Sequence, residues 1–401
     1  PSLYRLTAQL LEVYPRPPSD RPRELADVIE SLPAWRAGTQ SSRPPRVEHW
    51  RPEPAAMAAM PWPVVELPHQ GELERLLDVD AGEIAWFADT RGWERQVSEP
   101  LRHYHWIVAP KRNGVRLLAA PKPRLKEIQR RLLRHVLTAI PLHPFAHGGV
   151  PGRSVRTALA PHAGARIVIR ADLEMFFSVI AARRVYGILR QAGYPESVAY
   201  TITGLCTTVV PREVWQHVRT PKDFERHRRL GRALATPHLP QGAPTSPALA
   251  NLVAFSLDRR LAGLARAFGA RYTRYVDDLT FSGGNRLRAG RSAFVDGVAK
   301  IARDEGFRLV DAKTVVLGSA GRQHALGAVI NDHPTLARSE RDALRALLHN
   351  CATHGWRSQA RGHDAFPDHV LGRIGHVAGL DPVLGAKLRT TYDRIDWTDP
   401  R

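Results

Sequence analysis

Three aspartates carry the residue type and spacing that could do chemistry in this chain of 401 residues. Asp277 and Asp278 are adjacent, and they lie between two short β-favouring runs, 272–275 and 279–281. This pattern predicts a hairpin with the acid pair at or beside its turn. Two neighbouring carboxylates repel each other, so they require a shared proton or a cation. Because an acid pair is also common in solvated turns, its role depends on the rest of the chain.

The third acid, Asp172, follows the apolar run 167–169, which predicts a buried strand. A carboxylate at the end of a central strand is costly unless a cation or a strong donor pairs with it. An antiparallel sheet can bring this strand beside the acidic hairpin. Three carboxylates would then form an oxygen-only site that suits Mg²⁺. Two such ions could activate a sugar hydroxyl and stabilise a leaving pyrophosphate oxygen.

The charge of the chain is strongly basic. Lys and Arg number 58 against 39 Asp and Glu, a net charge of +19, and this excess favours a polyanionic partner, nucleic acid first. No apolar run approaches the ~20 residues of a membrane helix, which predicts no membrane partner. The two cysteines, Cys206 and Cys351, lack metal-ligand spacing. They predict reduced structural thiols in a cytoplasmic protein.

Hydrophobic periodicity predicts the elements that must position the acids. A hairpin with a basic tip and an Asn113–Gly114 turn is predicted over 104–118, followed by a basic amphipathic helix from about Arg124. A Gly-rich loop spans 147–154, and residues 211–237 are predicted to be an insertion or a long loop. The remaining predictions are helices within 1–40, a linker from Thr39 to Pro63, helices at 185–192 and 198–206, a helix from a Ser246 N-cap to about Phe268, a helix at 293–305, a strand at 323–330, and helices from Ser339 onward.

Three segments together resemble the bacterial, retron-like reverse transcriptases. Tyr275-Val276-Asp277-Asp278 resembles the catalytic Tyr-x-Asp-Asp box, the run Asp172 to Phe177 resembles the first catalytic motif, and Leu239-Pro240-Gln241-Gly242-Ala243-Pro244-Thr245-Ser246-Pro247 resembles a further segment of that family. The likeness covers roughly residues 75 to 395. It implies an α+β right-hand polymerase fold with an antiparallel palm sheet, fingers made of a hairpin and helices, a helical thumb, and a mainly helical N-terminal extension. The implied domains are 1–65 for the extension and linker, 66–165 for the fingers, 166–332 for the palm with fingers elements at 181–238, and 333–401 for the thumb.

The resemblance also implies a role for each matching residue. Asp172, Asp277 and Asp278 would hold two Mg²⁺ ions, with Mn²⁺ able to substitute and the Leu173 carbonyl as an extra ligand. Phe177 would be a steric gate that rejects a 2′-hydroxyl. The implied nucleotide-binding residues are Arg116, Phe177, Gln241, Gly242 and Lys313. The implied template and primer contacts are Tyr275, Val276, Arg153, Leu326 and Gly327.

The implied function is RNA-directed DNA synthesis by a retron reverse transcriptase. It would make a short DNA from a non-coding RNA for antiphage defence, with a branched RNA–DNA hybrid as one form of the product. Its partners would be the RNA template, the RNA/DNA hybrid, dNTPs and an effector protein, and the oligomeric state stays open. Ala325-Leu326-Gly327 stands where retron enzymes often have Val-Thr-Gly. This difference keeps open another domesticated or defence-associated reverse transcriptase without a retron RNA. An inactive RNA-binding scaffold is the third hypothesis, and the complete acid triad argues against it.

Overall fold

The structure is a computed structural model, and it divides the chain into two compact units. It describes residues 3–14, 22–40, 56–89, 92–94, 96–111, 114–218, 223–360, 362–363 and 365–398. The first unit comprises the chain up to Pro141 together with Phe177–Val253. The second unit comprises Leu142–Phe176 together with the chain from Ala254 onward. The finer division into fingers, palm and thumb stays a prediction.

Groups of helices are separated by short strands along the chain. The helices are α1 (Leu3–Val13), α2 (Pro22–Ser31), α3 (Pro33–Thr39), α4 (Gln70–Leu77), α5 (Ala81–Phe87), α6 (Pro123–His135), α7 (Val155–Leu159), α8 (Ala182–Gln191), α9 (Glu196–Cys206), α10 (Arg212–Gln216), α11 (Phe224–Leu234), α12 (Ser246–Val253), α13 (Phe255–Ala267), α14 (Asn285–Ala289), α15 (Arg291–Asp304), α16 (Arg338–His354), α17 (Arg357–Ala360), α18 (Phe366–Leu380) and α19 (Pro382–Tyr392). The strands are β1 (Tyr104–Lys111), β2 (Gly114–Pro121), β3 (Ile167–Asp172), β4 (Ala270–Tyr275), β5 (Asp278–Gly283), β6 (Val315–Gly318), β7 (His324–Ala325) and β8 (Ala328–Val329).

The first unit holds the predicted hairpin and basic helix. β1 pairs antiparallel with β2, and Arg116 lies opposite Ala109 in the register. α6 begins with Pro123, whose missing N–H is no loss at a helix start. Its two faces differ as predicted: Leu125, Ile128 and Leu132 are buried, whereas Arg130 and Arg134 are exposed. The linker residues 41–55, the hairpin tip 112–113 and residues 219–222 lie outside the described ranges.

The second unit is built on a four-stranded sheet of order β4-β5-β3-β6, in which each neighbouring pair is antiparallel. Val168, Ile169 and Phe281 in its central strands are at most 1% exposed. The Phe281 ring stacks on Tyr272 of β4 at 4.9 Å and meets Phe294 of α15 edge-on at 5.0 Å. Aromatic packing of this kind between strand neighbours and a covering helix stabilises the sheet that carries the acids.

The C-terminal helices confirm the predicted periodicity. α16, α18 and α19 pack around one apolar cluster in the second unit, which includes Leu344, Leu348, Val370, Ile374, Val377 and Leu388. These residues recur at spacings of three and four, so each helix buries one stripe. Within the described residues, no helix has the length and apolar character that a membrane span requires.

Three predicted elements were wrong in form. Residues 211–237 contain α10 and α11, so this stretch is not a long loop. α11 is capped by Asp223, which accepts from the Arg226 N–H at 3.0 Å. Its Leu230 and Leu234 pack in a small cluster with Trp215, and the basic composition of the stretch hides this apolar pair.

The predicted helix from Ser246 to Phe268 is likewise two helices, α12 and α13, separated at Ala254. The Val253 carbonyl accepts a hydrogen bond from the Arg184 side chain at 3.3 Å. In a continuous helix, a backbone N–H of the same helix would have donated to this carbonyl. Ser246 does not precede α12 as a cap but begins it, and its hydroxyl donates to the Pro240 carbonyl at 2.7 Å.

The predicted strand at 323–330 is a hairpin of β7 and β8. Leu326 and Gly327 form its turn, with φ values of +50° and +80°. Two successive left-handed residues are what a tight hairpin turn requires. The apolar residues of this run favoured a single strand, and Gly327 was the residue that indicated a turn.

Candidate active site

The acidic hairpin has the predicted form. Tyr275 at the end of β4 lies opposite Asp278 at the start of β5, so Val276 and Asp277 form a two-residue turn. β5 also pairs with β3, and in that register Asp278 lies opposite Asp172. The Leu173 N–H donates to the Asp277 carbonyl at 2.9 Å, which ties the turn to the end of β3. The second unit therefore brings together the three acids that the sequence analysis singled out.

The acids lie in an environment that disfavours three negative charges. The pKa of Asp278 is raised to about 6, first by burial and then by the charges of Asp277 and Asp172. Arg170 and Lys313 act in the opposite direction. Such a site gains stability from any cation that reaches the carboxylates.

Lys313 supplies one such cation. Its Nζ donates to Asp172 Oδ2 at 2.6 Å, and its side chain is 55% exposed while that of Asp172 is 10% exposed. The lysine lies in a short 3-10 turn, Asp311–Lys313, that directly precedes β6. A flexible, half-exposed ammonium can leave the carboxylate when another cation or a phosphate arrives.

The donor chemistry of the site fits a divalent metal. Carboxylate oxygens are the ligands that Mg²⁺ and Mn²⁺ prefer, and the repulsion between the acids favours a cation among them. Within the described ranges, no group of three or more Asp, Glu, His or Cys side chains is arranged closely enough to hold a metal ion as the structure stands. One of the three acids, Asp172, is paired with Lys313, and this ion pair directs its Oδ2 toward the ammonium.

The implied template and primer contacts fall into three places of the second unit. Tyr275 and Val276 belong to the acidic turn, whereas Leu326 and Gly327 form the turn between β7 and β8. Arg153 donates through Nη1 to the carbonyls of Pro144 and Ala146, so its guanidinium stabilises its own loop. A template contact by Arg153 stays a prediction.

The implied nucleotide-binding residues other than Lys313 lie in the first unit. The Gln241 carbonyl accepts from the Ala119 N–H at 3.0 Å, which joins the Gln241 loop to β2, the strand of Arg116. Gly242 has φ +134°, and a Cβ on it would lie 2.9 Å from the Ala119 carbonyl oxygen, so only glycine fits. Leu239 donates to the Ile180 carbonyl, which ties the same loop to the segment that begins at Phe177.

Two buried residues next to the acidic turn were not predicted from the sequence. Arg274 and Asp258 are both fully buried and form an ion pair. The signal was present in α13, where Asp258 directly follows Leu257 on a helix that the periodicity places against the core. A buried carboxylate in that position requires a buried cation.

Comparisons with known proteins agree with this geometry. The model of the family "Reverse transcriptase (RNA-dependent DNA polymerase)" matches residues 109–330. The retron Mx65 reverse transcriptase of Myxococcus xanthus is 39% identical over 84% of this chain and 74% of its own length. The retron Mx162 reverse transcriptase of the same organism is 37% identical over 84% and 68%. The retron Ec86 reverse transcriptase of Escherichia coli is 27% identical over 70% and 77%.

Among solved structures, a telomerase from Candida albicans in complex with a fragment of telomeric RNA covers 72% of this chain and 54% of its own, with TM-score 0.37 and 10% identity. That likeness is too low to carry an argument.

The chain belongs to the reverse transcriptase family, with the right-hand polymerase fold and the RNA-directed DNA polymerase activity that define it. Its identity to the Myxococcus enzymes places it with the retron reverse transcriptases. The resemblance noted in the sequence is therefore confirmed. Reverse transcriptases act on RNA templates and nucleotides and generally depend on a divalent metal.

Proposed function

We propose that Asp172, Asp277 and Asp278 are the catalytic acids of this polymerase and that they hold two Mg²⁺ ions, for which Mn²⁺ can substitute. The observation that carries this proposal is the strand register, in which Asp172 and Asp278 lie opposite each other with Asp277 in the adjoining turn. The bound ions would activate the primer hydroxyl and stabilise the leaving pyrophosphate. The Leu173 carbonyl, beside Asp172, is the proposed extra ligand.

Lys313 is proposed to act on the leaving group. Its ammonium is already at the acids, 2.6 Å from Asp172, and its side chain is exposed enough to turn toward a phosphate. An ammonium at a developing phosphate charge stabilises that charge without a change in its own protonation. The lysine would therefore exchange its carboxylate partner for pyrophosphate oxygens during the reaction.

The first unit is proposed to select the nucleotide. Arg116 would contact the triphosphate, and Gln241 and Gly242 would contact the nucleotide itself. The backbone bond between Gln241 and Ala119 supports a shared function, because it fixes that loop against the strand of Arg116. Phe177 would exclude a 2′-hydroxyl by contact with the sugar.

The proposed template is a non-coding RNA, and the proposed product is a short DNA, with a branched RNA–DNA hybrid as one form, made for antiphage defence with an effector protein. The retron names of the relatives and the net charge of +19 support this proposal. Tyr275, Val276, Arg153, Leu326 and Gly327 are the proposed template and primer contacts.

Two experiments test these proposals. Asp277→Asn/Asp278→Asn should abolish DNA synthesis on a primed RNA template and leave RNA binding nearly unchanged, because the backbone of the turn is kept. Polymerisation by that double variant would overturn the site assignment.

The second experiment sequences the nucleic acid that co-purifies with the full chain. A discrete RNA joined to a short DNA is expected, and heterogeneous DNA or its absence would overturn the retron product.

A further inference from the structure

Arg274 is the largest side chain that is fully buried among the described residues, at 0% exposure. Its Nε and Nη2 donate to the two carboxylate oxygens of Asp258 at 2.8 and 2.6 Å. The Tyr272 hydroxyl donates to the same carboxylate at 2.8 Å. The guanidinium is thus held in one orientation by a bidentate pair, which is the most directional ion pair that proteins form.

The remaining arm of this guanidinium reaches the acidic turn. Arg274 Nη1 donates to the Val276 carbonyl at 3.0 Å. Val276 has φ +57°, a left-handed conformation that is strained for a β-branched residue. The Val276 carbonyl belongs to the peptide bond between Val276 and Asp277. Its orientation therefore sets the orientation of the backbone at Asp277.

A second contact holds the same turn from the side of the Gly-rich loop. Arg274 and the residues before Gly148 are joined by backbone bonds, from the Arg274 N–H to the Phe145 carbonyl and from the His147 N–H to the Arg274 carbonyl, both 2.8 Å. A Cβ on Gly148 would lie 2.5 Å from Val276 Cγ2 and 2.7 Å from the Val276 nitrogen. The Gly-rich loop therefore packs directly against the acidic turn.

Stability alone is a poor reason for this arrangement. Replacing a buried ion pair by apolar residues of similar size is often neutral or stabilising, whereas the pair imposes a defined geometry. Here the geometry that it imposes is that of the Val276 peptide, one residue before the two acids.

We propose that Arg274 is a positioning residue of the polymerase: clamped by Asp258, it holds the Val276 carbonyl and so aims Asp277 and Asp278, while Gly148 leaves the room that the turn needs. This inference rests on the proposed function of those acids. Asp258 and Tyr272 act through Arg274, and all three residues are at most 3% exposed.

The test compares full-length variants in primed synthesis on a homopolymeric RNA template. Asp258→Asn/Arg274→Met removes both charges and keeps an acceptor for Tyr272, so the fold should be retained. We expect kcat to fall roughly 10- to 100-fold with little change in the dNTP KM, as for a misplaced catalytic group. We also expect the Mg²⁺ concentration for half-maximal rate to rise several-fold. Arg274→Lys keeps a buried cation beside Asp258, so its thermal stability should be close to that of wild type. Its kcat should still be low, because one ammonium cannot hold both Asp258 oxygens and the Val276 carbonyl.

Arg260→Met/Asp304→Asn is the matched control. It removes another ion pair of the second unit, with a 2.6 Å contact between α13 and α15, and should leave kcat and the Mg²⁺ dependence unchanged. Wild-type kcat and Mg²⁺ dependence in a folded Asp258→Asn/Arg274→Met variant would overturn the proposal. If Asp277→Asn/Asp278→Asn still synthesises DNA, the proposed function of the acids fails instead.

Gly148→Ala tests the same turn without touching the ion pair. Its methyl group would press on the Val276 nitrogen, so kcat should fall, and Val276→Ala in the same chain should restore only part of it, since the backbone clash remains. Should Asp258→Asn/Arg274→Met fail to fold, a wild-type kcat in folded Gly148→Ala would overturn the proposal.

Discussion

Asp172 and Asp278 lie directly opposite each other in the antiparallel register of β3 and β5. The two carboxylates come from strands about a hundred residues apart in the chain, and the sheet holds them together despite their repulsion. Lys313 offsets part of that repulsion through its 2.6 Å contact with Asp172. A site of this kind is less stable than its neutral counterpart when no metal is bound, and that difference can be measured.

Asp278→Asn should stabilise the metal-free protein while it abolishes DNA synthesis. Burial and two neighbouring acids disfavour the Asp278 carboxylate, and the amide removes that charge with almost no change in shape. We expect the free energy of unfolding in EDTA at pH 7.5 to rise by an amount on the order of 1–3 kcal/mol. Asp296→Asn, at an exposed acid of α15, should stay within about 0.5 kcal/mol of wild type. A less stable Asp278→Asn protein would contradict this account of the site.

Phe177→Ala should weaken the preference for deoxynucleotides. Without the ring, a ribose 2′-hydroxyl no longer meets a steric barrier, so the ratio of kcat/KM for dNTP over rNTP should fall roughly 10-fold or more. Phe177→Tyr keeps the ring and should keep the preference. The measurement is single-nucleotide incorporation with matched dNTP and rNTP, and an unchanged ratio in Phe177→Ala would remove the gate assignment.

Gly327→Ala should destabilise the β7–β8 turn and shorten the DNA products. Gly327 has φ +80°, and a Cβ there would meet no atom within 4 Å, so the cost comes from the backbone alone and is about 1 kcal/mol. Gly372→Ala is the matched control, because its Cβ also meets no atom but lies within α18, where alanine should stabilise by about 0.5–1 kcal/mol. Thermal unfolding and product length on a long template distinguish the two. Full-length products from Gly327→Ala would exclude a role of this turn in holding the primer.

Acid should destabilise the second unit through His162. This imidazole is fully buried between Ser282 and Thr273, at 2.7 and 2.8 Å, and its pKa is lowered to about 3, mainly by burial, with smaller contributions from Arg271 and His147. In the unfolded chain His162 is protonated below pH 6.5, whereas in the folded chain it is protonated only near pH 3. The stabilisation is therefore fully present above pH 6.5 and is lost as the pH falls from 6.5 toward 3, by an amount on the order of 2 kcal/mol at pH 5.

His162→Gln separates this histidine from the others that titrate in the same range. Denaturant unfolding of wild type and variant between pH 7.5 and 5 should show a smaller loss of stability in the variant, by about the same 2 kcal/mol. Parallel pH profiles for the two proteins would exclude His162 as a source of acid lability.

Local pattern was sufficient for most of the elements. Helical periodicity predicted α6 and the C-terminal helices, and the β-favouring runs around Asp277 predicted the β4–β5 hairpin, because both signals depend on residues close together in the chain. Two of the wrong predictions share one cause. In 211–237 and 323–330, side-chain composition hid a helix and a turn, which depend on a cap at Asp223 and on the left-handed backbone at Leu326 and Gly327.

The sequence by itself determined which residues are the candidates for the chemistry, since the types and order of Asp172, Asp277, Asp278 and the Gln241 loop are specific in combination. Only the tertiary structure decided how the acids are held. The register that sets Asp172 opposite Asp278, the burial of Arg274 against Asp258 and the space at Gly148 all join residues that are distant in the chain. No local periodicity encodes such pairings, because whether a polar side chain is buried depends on which element comes to cover it.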